Sequence, residues 1–280
     1  MIIDSHSHAW SYWPYAPAVP DPGTHGCIEQ LLYEMDANSV DQAVIVCAQL
    51  EHNPNNNEYI ADSVKRFPGR FHMLADLDSE WAETYHTPGM AQRLKDIARR
   101  WPLCGFTHYL RRDEDGTWLC SPEGEAVFEV AAEMGLIASL CCYPHQQPAL
   151  RKIASLFPSV PILCHHLGLV QHGKGTSTEN LAQVLDSAGQ PNIYIKVSGF
   201  GYMASQQWEY PYSESQDVFR KIFQEYGANR LCWGSDYPVV RYYMTYRQSL
   251  EVLKTHCPFV SPGEKEWILG KTFQNLIQNR

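Results

Sequence analysis

The chain has 280 residues, enough for one large α/β barrel of about 250 residues or for two small domains. Asp and Glu number 31 against 22 Lys and Arg, a net charge of −9 with no basic run, so nucleic acid is not expected as a partner. No apolar run reaches the length of a bilayer span, and the N-terminus lacks the basic start and long apolar stretch of a signal peptide, so a soluble cytoplasmic protein is expected.

Short apolar runs rich in Val, Ile, Leu and Cys predict strands at 1–3, 42–46, 71–75, 103–106, 136–140, 161–164, 193–197 and 230–233. Their near-continuous apolar character is what a parallel strand covered on both faces requires. Between them, helical periodicity predicts helices over 28–38, 58–67, 91–100, 123–134, 148–157, 179–187 and 214–226. Gly135, Gly189 and Gly227 follow helical runs, and Pro68, Pro102 and Pro158 punctuate helix ends. Eight strands alternating with helices predict a single-domain (β/α)₈ TIM barrel over 1–280. A doubly wound sheet has similar spacing, but no Gly-rich phosphate loop follows the first strand. Nine cysteines, an odd number without CxxC pairs and several inside apolar runs, read as buried thiols. The segments 10–26 and 200–213 are longer than scaffold loops and follow strands one and seven, where barrel enzymes build substrate sites.

Three motifs carry chemistry. In Asp4-Ser5-His6-Ser7-His8, residues i and i+2 of a strand share a face, so His6 and His8 project together as a chelating or polarising pair. His165-His166-Leu167-Gly168 ends strand six, and alternation there predicts that one histidine faces inward and the other packs elsewhere. Gly234-Ser235-Asp236-Tyr237-Pro238 follows strand eight; its carboxylate suits metal binding or proton removal from water, and the run is also good turn chemistry. The combination places all three motifs on one predicted rim.

With these motifs the chain resembles the amidohydrolase superfamily, specifically its amidohydrolase 2 group, and within it the sugar-lactone and 2-pyrone-4,6-dicarboxylate lactonases. Asp4 to His8 matches the opening motif, Leu163 to Gly168 the strand-six pattern, and Asn229 to Pro238 the most distinctive stretch; Ile268 to Leu276 resembles the closing helix. The resemblance assigns the functional histidine of strand six to His166. Three departures stand out. Tyr143 occupies the place of a fifth-strand ligand His, His165 replaces the usual Asp, and Gly105-Phe106 is followed by Thr107-His108 with no evident arginine. His145 shares the strand parity of Tyr143 and would need a turn of the loop to substitute.

The resemblance implies an enzyme that opens a small sugar-derived or carboxylated lactone. Asp236 is expected to act as general base and to return the proton to the leaving oxygen, while His6, His8 and His166 polarise the carbonyl. One divalent metal, zinc, held by His6, His8 and Asp236 with or without His166, is one form of the site; a metal-independent site is the other, because some lactonases of this group need none. Tyr143, His108, Arg111, Lys196, Tyr237 and Arg241 are expected to bind substrate, the cations by holding a carboxylate. Trp10, Tyr12, Trp13, Trp208, Tyr210 and Tyr212 are aromatic groups for stacking on a sugar or for packing the loops. Alternatives are a zinc-dependent decarboxylase of an unsaturated acid, a lactone isomerase, and a non-catalytic binding protein on the same scaffold. The expected partner is a small molecule, and a homo-oligomer is compatible with the sequence.

Overall fold

A computed structural model describes residues 1–12, 25–170 and 178–278. All eight expected strands form: β1 (Ile3–Ser7), β2 (Gln42–Val46), β3 (Phe71–Asp76), β4 (Leu103–Tyr109), β5 (Ile137–Cys141), β6 (Ile162–Cys164), β7 (Ile193–Val197) and β8 (Leu231–Trp233). Each pairs in parallel with its successor in chain order. The ring closes where β1 meets the segment after β8: Asp236 N–H donates to His6 O at 3.0 Å, and His8 N–H donates to Tyr237 O at 2.8 Å. Ser5 adds a side-chain bond to Trp233 O at 2.6 Å. The architecture is a (β/α)₈ barrel, as the alternation of apolar runs predicts.

The expected helices form as α1 (Ile28–Ala37), α2 (Asn56–Arg66), α3 (Met90–Arg100), α4 (Pro122–Met134), α5 (Gln147–Leu156), α6 (Thr178–Asp186) and, after the short α7 (Phe200–Met203), α8 (Ser213–Tyr226). The helix α9 (Tyr246–Lys254), with Thr245 and Gln248 making a capping box, was not anticipated. The chain ends in α10 (Pro262–Glu266) and α11 (Thr272–Gln278), joined by a π-helical turn. Phe273 and Leu276 of α11 pack with Ile3, Val44, Val46, Leu74, Cys104, Ile137, Leu163 and Cys232, stoppering the N-terminal end of the barrel. Burial of each large apolar side chain contributes about 1.5–3 kcal/mol. The larger apolar layer lies between the outer strand faces and the helices. All nine cysteines are free. Among the described residues no helix is long and apolar enough to cross a membrane.

One irregularity in β1 decides what the barrel can do. Between Asp4 and Ser7 the strand advances three residues while β2 advances two, from Ala43 to Ile45. The extra residue is a bulge, and it resets the alternation of side chains. Ile3 can therefore join the apolar stopper while His6 and His8 share the interior above it.

Candidate active site

The centre lies at the C-terminal end of the barrel. His6 Nε2 is 3.0 Å from His8 Nε2. Asp236 Oδ1 is 3.4 Å from His6 Nε2, 3.6 Å from His8 Nε2 and 4.0 Å from His166 Nε2. All four side chains are buried. Asp236 stands in the left-handed region, with φ 60°, a conformation that aims its carboxylate at the histidines. Its Oδ2 is buried with no hydrogen-bond partner among the described residues.

Each group is held from behind. His8 Nδ1 donates to Val46 O, which fixes its proton there and turns a bare Nε2 toward Asp236. Its ring stacks on Trp10, with centroids 5.0 Å apart. His166 Nδ1 meets Ser198 Oγ at 3.0 Å. His6 Nδ1 meets Lys196 Nζ at 3.0 Å, and the same amine donates to Ser139 Oγ at 2.7 Å. Ser139 Oγ in turn lies 2.7 Å from His165 Nε2. Beneath β1, Asp4 accepts from the His6 and Ser235 backbone N–H groups, each at 3.1 Å, and from Ser235 Oγ at 2.7 Å. Two glycines leave room for the rings. A Cβ on Gly234 would stand 2.7 Å from His6 Cβ, and one on Gly199 would stand 2.9 Å from His166 Cβ.

Burial governs the electrostatics. Removal from water, with Lys196 nearby as the next cause, holds His6 and His165 well below the ordinary imidazole range. Burial takes His166 down to about 4 against the opposing pull of Asp236. It takes Lys196 down to about 7 and Asp4 up to about 7. Near neutrality the three histidines are uncharged, suited to donate or accept single hydrogen bonds.

The structure corrects the expectation for strand six. His165 and His166 both converge on His6, with ring centroids 4.6 and 4.7 Å away. The strand ends at Cys164, and His166 has φ 45°, so alternation no longer applies. The expected substrate residues divide. Lys196 is wholly buried behind His6. His108 is buried but turned aside: Nδ1 bonds Leu77 O at 2.8 Å, Nε2 meets His86 Nε2 at 3.2 Å, and burial lowers it to about 4. Its neighbour Tyr109 faces the centre instead, its ring 5.0 Å from that of His165. Arg111 is exposed and lies over the Tyr85 ring at 4.4 Å. The Tyr237 ring packs against Tyr246, and its hydroxyl donates to His25 O at 2.9 Å. Arg241 is exposed near that hydroxyl. Tyr143 is half-buried, with the Arg112 guanidinium 5.7 Å over its ring. His145 does not turn inward; it bonds Glu114 O at 2.9 Å.

Of the loop aromatics, Trp10 reaches the centre through His8, while Tyr12 and Trp208 are exposed. Tyr210 and Tyr212 pack on each other and on the barrel, with the Tyr212 hydroxyl donating to Tyr243 O at 2.8 Å. Trp13 lies outside the described residues. Sequence reasoning missed Ser139, Ser198, Tyr109 and Tyr202, whose ring lies 5.2 Å from that of His166. The available signal was a polar residue inside an apolar strand, such as Ser139 in Ile137–Cys141. A narrow cleft with about 10 Å³ of free space, room for about one water molecule, opens beside Asp236, lined by Ser198, Tyr202, Tyr243 and Met244 among others.

Among the described residues, two sets of side chains have donor atoms close enough for an ion: His6, His8 and Asp236, and His6, His165 and His166. The first set fits better. Bonds of about 2.0–2.1 Å around a tetrahedral ion put ligand atoms roughly 3.3 Å apart, close to the 3.0, 3.4 and 3.6 Å found here.

A buried histidine–aspartate cluster at the C-terminal mouth of a (β/α)₈ barrel defines this protein as an enzyme. The amidohydrolase family profile matches residues 3–272, and the chain belongs to that family. It is 25% identical over 245 residues to an L-fucono-1,5-lactonase of Burkholderia ambifaria, covering 85% of this chain and 81% of the relative. Among solved structures, it resembles an amidohydrolase of Burkholderia multivorans with bound zinc (TM-score 0.80, 17% identity, 99% of both chains). It also resembles a probable 2-pyrone-4,6-dicarboxylic acid hydrolase of Acinetobacter baumannii with bound citric acid (TM-score 0.76, 21% identity, 99% of both chains).

Proposed function

We propose that the protein is a lactonase that opens a small, polyhydroxylated sugar lactone, with Asp236 as general base. The observation that carries this reading is the divided carboxylate. Oδ1 faces three imidazoles, while Oδ2 is buried beside the cleft without a partner among the described residues. An acceptor in that position suits a water molecule poised for attack.

Asp236 removes a proton from water as the oxygen attacks the lactone carbonyl carbon. The carbonyl oxygen becomes an oxyanion, stabilised by imidazole N–H groups that are neutral at working pH. The tetrahedral carbon then releases the ring oxygen, and the proton held by Asp236 passes to that alkoxide. The product is the open hydroxy acid, with one water added. A divalent ion bound by His6, His8 and Asp236 would supply a Lewis acid for the same carbonyl and a more acidic water.

A neutral sugar lactone is favoured over a dicarboxylate because the residues lining the cleft include two tyrosines and three serines but neither Arg111 nor Arg241. Stacking on Tyr202 or Tyr243 and hydroxyl bonding suit a sugar ring. The fucono-lactonase relative supports the same choice. The test is a hydrolysis screen of aldono-1,5-lactones, aldono-1,4-lactones, pyrone dicarboxylate lactones and unsaturated acids, with and without added zinc. Turnover of aldonolactones is the expected result. Release of CO₂ from an unsaturated acid, with every lactone inert, would refute the reading.

A further inference from the structure

We propose that Lys196 is a positioning residue that holds His6 with its proton on Nε2, as a hydrogen-bond donor to the centre, and thereby opposes a metal ion at His6, His8 and Asp236.

The argument is one of hydrogen-bond direction. Metal-ligating histidines almost always donate their outer N–H to an acceptor, which leaves the inner nitrogen bare. His8 has that arrangement, with Val46 O behind it. His6 does not: behind its Nδ1, at 3.0 Å, stands the amine of Lys196. Among the described residues no carboxylate pairs with that amine, which spends another hydrogen on Ser139 Oγ. When it donates to His6 Nδ1, the His6 proton sits on Nε2, where it finds an acceptor. The Nε2–H then faces the bare His8 Nε2 at 3.0 Å and Asp236 Oδ1 at 3.4 Å. The opposite tautomer leaves three bare acceptors, His6 Nε2, His8 Nε2 and Asp236 Oδ1, within 3.6 Å of one another, a tolerable arrangement only with a cation among them.

The same lysine sets a second ring. Ser139 Oγ accepts from Lys196 and passes its own hydrogen to His165 Nε2. Neutral His165 then carries its proton on Nδ1, and that buried atom has no partner among the described residues. One buried amine thus leaves two histidines as N–H donors. The use of these donors on a carbonyl oxygen rests on the lactonase reading; the tautomers and the metal affinity do not.

The test uses the full chain with ring-¹⁵N histidine, the His6 signals being assigned by their loss in His6→Gln. Long-range ¹H–¹⁵N correlation of the wild-type protein is expected to show His6 protonated on Nε2. Competition with a chromogenic chelator is expected to show zinc bound about tenfold or more tightly by Lys196→Met than by wild type, the range over which such supporting contacts act. A His6 proton on Nδ1 in the wild-type protein overturns the proposal, and so does equal zinc affinity in the two proteins. Should Lys196→Met not fold, the wild-type spectrum decides alone. Because neither readout uses a lactone, a failed substrate screen leaves this result standing.

Discussion

Replacing Asp236 with asparagine tests the general base with the least disturbance to the fold. The residue has φ 60°, and Asn is among the few side chains that adopt the left-handed region readily. Its backbone N–H bond to His6 O at 3.0 Å, which closes the barrel, is untouched. The amide oxygen can still face the imidazoles, but no atom remains that can take a proton from water. General-base catalysis contributes about 10²–10⁴-fold, or roughly 3–5 kcal/mol of barrier. Asp236→Asn is therefore expected to lower kcat on an aldonolactone by at least about 100-fold with a nearly unchanged Tm. Asp236→Ala should lose as much activity and in addition about 1–2 kcal/mol of stability, because alanine is strained at this φ. A pH-stat assay paired with thermal unfolding separates the two effects. Hydrolysis by Asp236→Asn at more than about a tenth of the wild-type rate would remove Asp236 from the role of base.

His166→Ala is expected to reduce kcat more than His165→Ala, because His166 Nε2 is the ring atom that approaches Asp236 Oδ1; steady-state kinetics on both variants checks the order. Gly234→Ala would place a methyl group 2.7 Å from His6 Cβ, between two elements that cannot both yield. It should cost about 1–3 kcal/mol in thermal unfolding and displace His6 enough to abolish most activity. Stability should fall on acidification below the ordinary imidazole range. The pKa values of His6, His165, His166, His108 and His86 are all lowered in the folded state, the last two to about 4 and about 3, so the unfolded chain binds more protons as pH falls from about 6.5 toward 4. Asp4, raised to about 7, and Asp76, Glu80 and Glu114, which burial also raises, work in the opposite sense over that window, against the five imidazoles. A Tm that rises between pH 6.5 and pH 4 would show that these imidazoles are not buried as described.

Much of the barrel was legible because parallel strands covered on both faces are continuous apolar runs, a signal that survives without any partner sequence. The eight runs and the seven principal helices stand within a few residues of their expected places, and His6, His8, His166 and Asp236 share one rim. α9 escaped because its apolar face is short and its capping box lies in a segment read only for its Asp-Tyr-Pro turn.

Residue types and their order along the chain were enough to determine the alternation of elements and which imidazoles and carboxylate end strands one, six and eight. Tertiary structure alone decided what each side chain faces. Side-chain alternation predicts direction only while a strand is unbroken, and one inserted residue in β1 or one left-handed residue at His166 resets it without a compositional trace. For the same reason His108 turned aside while Tyr109 faced the centre, and both histidines of strand six met His6. The contact between His6 and Lys196 joins residues 190 apart in sequence. It exists because closing the ring brings β7 to within one strand of β1, with β8 between them, and no local propensity encodes that closure.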